Sequence, residues 1–331
     1  MVAQVSYGAA LVYFTGSKPH NIAVRKIGQG KKLKISEYGV FKGKGENEKR
    51  VAGRTEKEVY ESVDLPFIPP ELREDRGEIE AARKGKLPDL ITLDDIRGDL
   101  HLHTKESDGD YTAKEMAEAA RERGYEYIAV TDHSRRLTVA TGLDPDRLKK
   151  QIKKIGKLNE KLDNFTVLTG IEVDIMEDGT LDLPDGILKE LDLVVAAVHY
   201  KFDLPAGKQT DRILKALDNP QVNILDHPTT RLIGKRPPID VNMEKIITAA
   251  IERGVVLELN AQPDRLDLND VYCKFVKDQG GKIAVSTDSH RLTDLEFMRF
   301  GIGQARRGWL EADDVVNTRK LKQLKKILTR E

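Results

Sequence analysis

From residue 97 onward, short runs rich in Val, Ile and Leu alternate with charged segments whose apolar positions recur with helical period, as at 113–123 and 243–253. Seven such runs occur: IRGDLHLHT, YIAVTDHS, TVLTGIEVD, LVVAAVHY, VNILDHP, VVLELN and KIAVSTDSH. Near-continuous apolar runs of this length suit strands buried on both faces, and a repeated strand-then-helix order implies parallel pairing. The pattern predicts an α/β fold, a (β/α)7 barrel, with an open doubly wound sheet as the alternative. Every run finishes in polar residues, and in a barrel the loops after the C-terminal strand ends build the site. Residues 1–65 read differently. β-type patches such as LKISEYGVF at 33–41 are separated by Gly- and Lys-rich turns, which predicts a small α+β piece. Between the two, 66–96 carries PFIPPELRED, a charged stretch and LPDLITLDDI, a composition that predicts a linker. The expected organisation is therefore 1–65, 66–96 and 97–331.

Composition sets limits on this picture. At 331 residues, with 39% hydrophobic, 33% charged and 5% aromatic residues, the chain lies outside the disordered and membrane classes. No apolar run approaches the roughly 18 to 20 residues that span a bilayer, since even 191–198 is broken by Asp192. The first residues lack the basic start of a secretory leader, and Cys273 has no partner thiol, so a cytoplasmic protein with a core cysteine is expected. The net charge of zero hides an asymmetry: residues 1–60 hold 12 Lys and Arg against 5 Asp and Glu. Such a basic segment ahead of an acidic body suggests a surface that tracks phosphates.

Six of the seven histidines, His101, His103, His133, His199, His227 and His290, sit at the ends of the runs; His20 lies elsewhere. Side chains alternate along a strand, so His101 and His103 share one side, as do Asp288 and His290. Glu172 ends the third run and Asp108 follows the first, adding carboxylate oxygen to imidazole nitrogen in the mixture suited to Zn, Mn or Fe. One histidine of this kind is more often a core residue than a ligand. Six at equivalent strand ends are not a chance arrangement. Nine ligand-type side chains exceed what one ion takes, so two or three divalent ions, Mn2+ or Zn2+ or Fe, are expected. Clustered cations acidify a bound water and neutralise charge on a phosphoryl group, which makes phosphoester hydrolysis the expected reaction. Glu172, Asp288 and His103 are the residues expected to be central to catalysis.

HLHT at 101–104, SDG at 107–109, TDHS at 131–134, GIEVD at 170–174, AVHY at 197–200, DHP at 226–228 and STDSH at 286–290 together resemble the PHP domain, named for polymerase and histidinol phosphatase. The resemblance implies a distorted seven-stranded barrel with three metal sites. His101, His103, Glu172 and Asp288 would hold one ion, Glu172, His199 and His227 a second, and Asp108, His133 and His290 a third, with Glu172 as the bridge. Ahead of it, YFTGS at 13–17 with Asn21, Arg25 and ISEYGVF at 35–41 resembles the thumb of family X DNA polymerases, and RVAGRTEKEVY at 50–60 and LPFIPPELRE at 65–74 resemble the junction that follows. By that resemblance Tyr13 and Phe14 pack against a sugar, Gly16 and Ser17 belong to the same nucleotide-binding motif, Asn21 reaches a base edge and Arg25 lies near the template. The palm carboxylates of that family would precede YFTGS, yet no acidic residue occurs before Glu37. This chain alone is therefore expected not to polymerise, and a separate palm subunit is a candidate partner.

These readings converge on a metal-dependent phosphoesterase acting on DNA 3′ ends in repair, as 3′ to 5′ exonuclease or end-processing enzyme, with abasic-site cleavage as a related activity. Arg135, Lys201, Arg231 and Arg265, each near a strand end, are candidate phosphate contacts. The alternatives are a small-molecule phosphatase of the histidinol phosphate type and a non-catalytic DNA-binding subunit of a split polymerase.

Overall fold

The structure, a computed structural model, describes residues 2–329 and divides into two compact units, Met1–Asp89 and Leu90–Glu331. In the first, α1 (Tyr7–Thr15) and α2 (Lys18–Gly30) precede an antiparallel meander of β1 (Leu33–Ser36), β2 (Gly39–Lys42) and β3 (Lys49–Ala52), followed by α3 (Glu56–Glu61) and α4 (Glu78–Arg83). Gly16 ends α1, and Ser17 starts α2 at once: its hydroxyl accepts from the His20 N–H at 3.3 Å, with Pro19 in the first turn. Gly8 allows α1 to lie against the chain entering α3, where a Cβ would come within 2.1 Å of a Thr55 backbone carbon.

The interior of this unit holds Val12, Val24, Val40, Val59, Ile68 and Leu72, and a buried polar chain besides. Glu78 Oε1 lies 2.6 Å from His20 Nδ1, and His20 Nε2 lies 2.9 Å from the Tyr60 hydroxyl, which ties α2, α3 and α4 together. The stretch read as a linker is largely folded. Its Ile68 and Leu72 are buried, and Arg73 donates to the Ile68 carbonyl and to Glu56 at 2.9 and 2.7 Å. Proline-rich composition masked these few apolar anchors, and the seam between units falls at Asp89 and Leu90, within 66–96.

In the second unit, seven parallel strands lie side by side in chain order: β4 (Gly98–Leu102), β5 (Tyr127–Val130), β6 (Thr166–Asp174), β7 (Leu193–Ala197), β8 (Ile224–Leu225), β9 (Val256–Asn260) and β10 (Ile283–Ser286). The helices α5 (Ala113–Glu122), α6 (Pro145–Asn159), α7 (Asp185–Leu188), α8 (Ala206–Leu217), α9 (Met243–Glu252), α10 (Asp270–Asp278) and α11 (Met298–Arg307) follow the successive strands, and α12 (Leu321–Leu328) ends the unit. Residues of the outward strand faces, such as Ile128, Val167, Ile171 and Leu257, pack against helical Met116, Ile213 and Ile247. Near the strand starts, Leu100, Tyr127, Leu168, Leu193, Ile224 and Val256 form an inner cluster closed by Val316, Leu324 and Leu328. The polar ends of the runs are left at the opposite mouth. None of the described helices is long and apolar enough to cross a membrane.

The barrel is nearly closed. Among the described residues no ladder joins β4 to β10, and the gap is closed by side chains and by a single parallel bridge between Leu102 and Ser289. Asn317 donates to the carbonyls of Gly98 and Val285 at 2.8 Å and accepts from Val285 N–H at 3.0 Å. Nearer the mouth, Asp99 accepts from the backbone and hydroxyl of Thr287, and the His103 N–H donates to the Ser289 carbonyl at 2.8 Å. Burial pushes the Asp99 carboxyl up to about 6 despite these donors. A register shift between Asp99 and Leu102 switches the parity of β4, so that Leu100 joins the inner cluster while His101 and His103 also point inward.

Candidate metal centre

The nine ligand-type residues reach the mouth from six strand ends, three from β4, two from β10 and one each from β5, β6, β7 and β8, and they gather around one carboxylate. Glu172, on β6, is buried, with His133 Nδ1 2.7 Å and His101 Nε2 3.6 Å from Oε2 and His199 Nε2 2.9 Å and His227 Nε2 3.3 Å from Oε1. Asp288, just past β10, lies 3.1 Å from His103 Nε2 and 3.7 Å from His101 Nε2. Asp108, on the loop after β4, lies 3.4 Å from His290 Nε2, 3.6 Å from His133 Nε2 and 3.8 Å from His103 Nδ1. All nine residues singled out in the sequence are thus brought together.

Their donor atoms fall into groups able to hold an ion: His101, His103 and Asp288; His133, Glu172 and His199; Glu172, Asp226 and His227; and His103, Asp108, His133 and His290. The interior groups are buried, whereas Asp108 and His290 side chains are 33% and 32% exposed, which sets a rim apart from a closed interior. A cation fits this donor set. Both carboxyl oxygens of Glu172 are buried and accept no hydrogen bond, a costly arrangement unless a positive charge faces them. His101 Nε2 and His103 Nε2 approach to 3.1 Å, as two ring nitrogens do around a shared cation or proton.

The electrostatics follow from this crowding. Burial alone would raise the Glu172 carboxyl, but His133, His199 and His101 hold it well below the usual range. Burial alone would lower His199, yet Glu172 and Asp174 push it up to about 10. His290 likewise rises to about 9 through Asp108 and Asp288. His103 goes the other way, down to about 3, because burial is reinforced by the charges of His290 and His133.

Residues that the sequence reading passed over orient the ligands. Glu258, in the middle of β9, lies 2.8 Å from His101 Nδ1 and accepts from the His227 N–H at 3.1 Å. Asp174 lies 3.0 Å from His199 Nδ1. Asp132, buried beside His133, accepts from the N–H and hydroxyl of Thr104 and from Gln151, fixing the root of the loop that carries Asp108. Asn260 and Gln262 donate to the Asp288 carboxylate and carbonyl at 3.1 and 2.9 Å, holding a residue whose φ of +50° is unusual for anything but glycine. A carboxylate or amide two residues along from an inward-facing position was the available signal for Glu258 and Asn260.

The basic candidates part company here. Arg265 comes to the centre, its Nε 3.6 Å from Asp288 Oδ2 and its Nη1 buried without a partner. Arg231 is instead held by backbone carbonyls of Arg265 and Leu266. Arg135 is exposed and donates to the Asp182 carbonyl, and Lys201 is exposed just past His199. In the first unit, Tyr13, Phe14, Gly16, Ser17, Asn21 and Arg25 cluster at the turn from α1 to α2. Asn21 donates to the carbonyls of Tyr13 and Gly16 at 2.9 Å, Arg25 stacks 5.2 Å over the Tyr13 ring, and Phe14 is 73% exposed.

Comparison with known proteins agrees with this division. A model of the DNA polymerase beta thumb matches residues 10–74, and one of the PHP domain matches residues 99–262. The DNA polymerase/3′-5′ exonuclease PolX of Bacillus subtilis (strain 168) is 42% identical over 330 residues, 100% of this chain and 57% of that protein, so the chain spans little more than half of that relative. A protein named as a probable phosphatase in Thermoanaerobacter sp. (strain X514) is 33% identical over 231 residues, 66% of this chain and 89% of that one. A candidate histidinol phosphatase from Listeria monocytogenes shares the fold, with a TM-score of 0.50 at 16% identity, covering 60% of this chain and 97% of that one.

Proposed function

The chain belongs to the PHP family, with a polymerase-beta-type thumb ahead of the barrel, and from that premise we propose that it is a metal-dependent phosphoesterase that processes DNA 3′ ends in repair. The observation that carries this reading is the convergence of six imidazoles, Asp108 and Asp288 on one centre built around the hydrogen-bond-free oxygens of Glu172. His101, His103, Glu172 and Asp288 would hold one divalent ion, Glu172, His199 and His227 a second, and Asp108, His133 and His290 a third. Mixed nitrogen and oxygen donors suit Mn2+, Zn2+ or Fe. Such ions, when bound, supply an acidified water and offset the charge that develops on a phosphoryl group.

The chain's own residues account for the rest. Glu258 and Asp174 engage Nδ1 of His101 and His199 and so turn Nε2 of each toward the centre. Glu172, Asp288 and His103, which link the groups, are the residues on which turnover depends most. The unpartnered Nη1 of Arg265 is placed to meet a phosphate oxygen, with Lys201 and Arg135 as outer contacts. Tyr13, Phe14 and Arg25 would grip the sugar and backbone of a DNA end. The thumb and the activity in the Bacillus relative's name support DNA as substrate; the Thermoanaerobacter relative supports a second reading, a phosphatase for small monoesters.

The test is hydrolysis by the purified chain with Mn2+ of a 3′-recessed duplex and of a small phosphate monoester. Stepwise loss of 3′ nucleotides, abolished by chelation, is the expected result. Activity on the monoester alone would select the phosphatase, and none on either substrate would leave a DNA-binding subunit.

A further inference from the structure

Asp226 opens the DHP motif and stands among the nine ligand-type residues without being one of them. It follows β8 two residues after Ile224, a member of the inner cluster, and it too faces the barrel interior, 1% exposed. Its neighbour Glu258 is equally buried, but the two carboxylates differ in one respect. Glu258 uses one oxygen on His101 Nδ1 and the other on the His227 N–H. Asp226 has no hydrogen-bond donor on either oxygen. Its Oδ2 lies 2.8 Å from His227 Nε2 without hydrogen-bond alignment, and its Oδ1 lies 3.4 Å from His101 Nδ1. His227 Nε2 is in turn 3.3 Å from Glu172 Oε1, whose other close imidazole there is His199 at 2.9 Å.

We infer that Asp226 is a tenth metal ligand, completing with Glu172, His199 and His227 a four-donor set around one interior ion; the inference rests on the metal centre proposed above. Four donors about 2.0–2.2 Å from one ion stand roughly 3.3–3.6 Å apart; within this set His227 and Glu172 stand 3.3 Å apart, His227–Asp226 and His199–Glu172 are tighter at 2.8 and 2.9 Å, and Glu172, Asp226 and His227 bring ligand atoms within 4.8 Å of one another. A carboxylate at this depth that accepts no hydrogen bond is costly, and a cation shared with Glu172 and His227 offsets that cost. Closure by four protein atoms is the mark of a retained ion, whereas sites that act on substrate keep a position open. The interior set is 12% exposed at most, and the rim set around Asp108 and His290 is about a third exposed. With Asp226 this set matches the equally buried four-donor set of His101, His103, Glu172 and Asp288, and two slowly exchanging interior ions stand apart from an open, exchangeable rim.

The experiment follows metal release from the full chain loaded with Zn2+ into a colorimetric chelator, with ions per chain counted by mass spectrometry. The wild type is expected to show a slow phase of about two ions, one for each four-donor interior set, beneath faster release. Asp226→Asn, which keeps the shape and removes the charge, should speed the release of one of these two ions at least about tenfold or empty its site, leaving a slow phase of about one ion, and Asp226→Gly should do the same. Asp108→Asn should remove only a fast phase. A wild type without a slow phase overturns the inference, whatever the variants do. So does Asp226→Asn with unchanged stoichiometry and release, which would make Asp226 only the ion-pair partner of His227. No substrate enters this assay, so a chain that retains the slow ions but cleaves no DNA would refute the proposed reaction and leave the interior ligand set standing.

Discussion

The two units present their candidate residues in opposite ways. In the first, six residues within thirteen positions are brought together by a single helix-to-helix turn, and they end up at a surface, with Phe14 73% exposed. In the second, nine residues spread over 190 positions meet only because six of the seven strands deliver them to one mouth, and most are buried. Under the proposed function, the difference separates holding from reacting. An exposed cluster on a basic unit gives sequence-tolerant grip on phosphates, while a buried cluster gives the desolvated, charge-dense environment that a cation-assisted reaction needs. It follows that the two functions should be separable by substitution.

The largest expected effect is on the buried side. Glu172→Gln keeps the volume but removes the charge around which four imidazoles are arranged, and hydrolysis should fall below detection while DNA retention in a gel-shift assay stays near wild type. His103→Ala should behave alike. Parallel loss of binding would erase the separation between the units.

Next comes a stability test confined to the first unit. Glu78→Ala strips the partner from His20 in a fully buried contact, and leaving a buried polar group unpaired costs about 1–3 kcal/mol. Thermal unfolding and limited proteolysis should show 2–89 opening early, while metal content is unchanged; a coincident loss of bound metal would mean that the units do not fail independently.

A smaller effect concerns pH. His199 and His290 are raised to about 10 and about 9 by carboxylates, so their contribution to the metal-free fold is fully present below the unfolded histidine value of about 6.5 and is lost as pH rises through 9 to 10. Metal uptake has the opposite sign, because each imidazole must shed its proton to act as a ligand. In chelator, the melting temperature should therefore be lower at pH 9.5 than at pH 6.5, and Mn2+ should raise it more at the higher pH. The smallest effect is expected from Arg25→Ala, which should weaken DNA binding several-fold, reduce its salt dependence by about one ion and leave hydrolysis of a small ester unchanged.

The same contrast explains what the sequence disclosed. The barrel was legible because buried parallel strands must be apolar throughout and their polar ends then stand out, so His133 or His199 could be placed before any coordinates. The thumb turn was legible because Gly16 and Ser17 act locally. Asp226, Glu258 and Asn260 were not, because their roles depend on which way a side chain points inside a curved sheet and on contacts across strands. In β4 even strict alternation fails, since the shift after Asp99 sends both Leu100 and His101 inward. The folded part of 66–96 was hidden for a similar reason: a few buried anchors such as Ile68 and Leu72 outweigh a composition that reads as linker.

The most direct test of the central claim is anomalous scattering from crystals of the chain grown with Mn2+ or Zn2+. The account predicts peaks within about 2.0–2.3 Å of the Glu172 carboxylate and of the His103 and His199 ring nitrogens. A fully occupied, well-ordered crystal with no anomalous density among these side chains would contradict it.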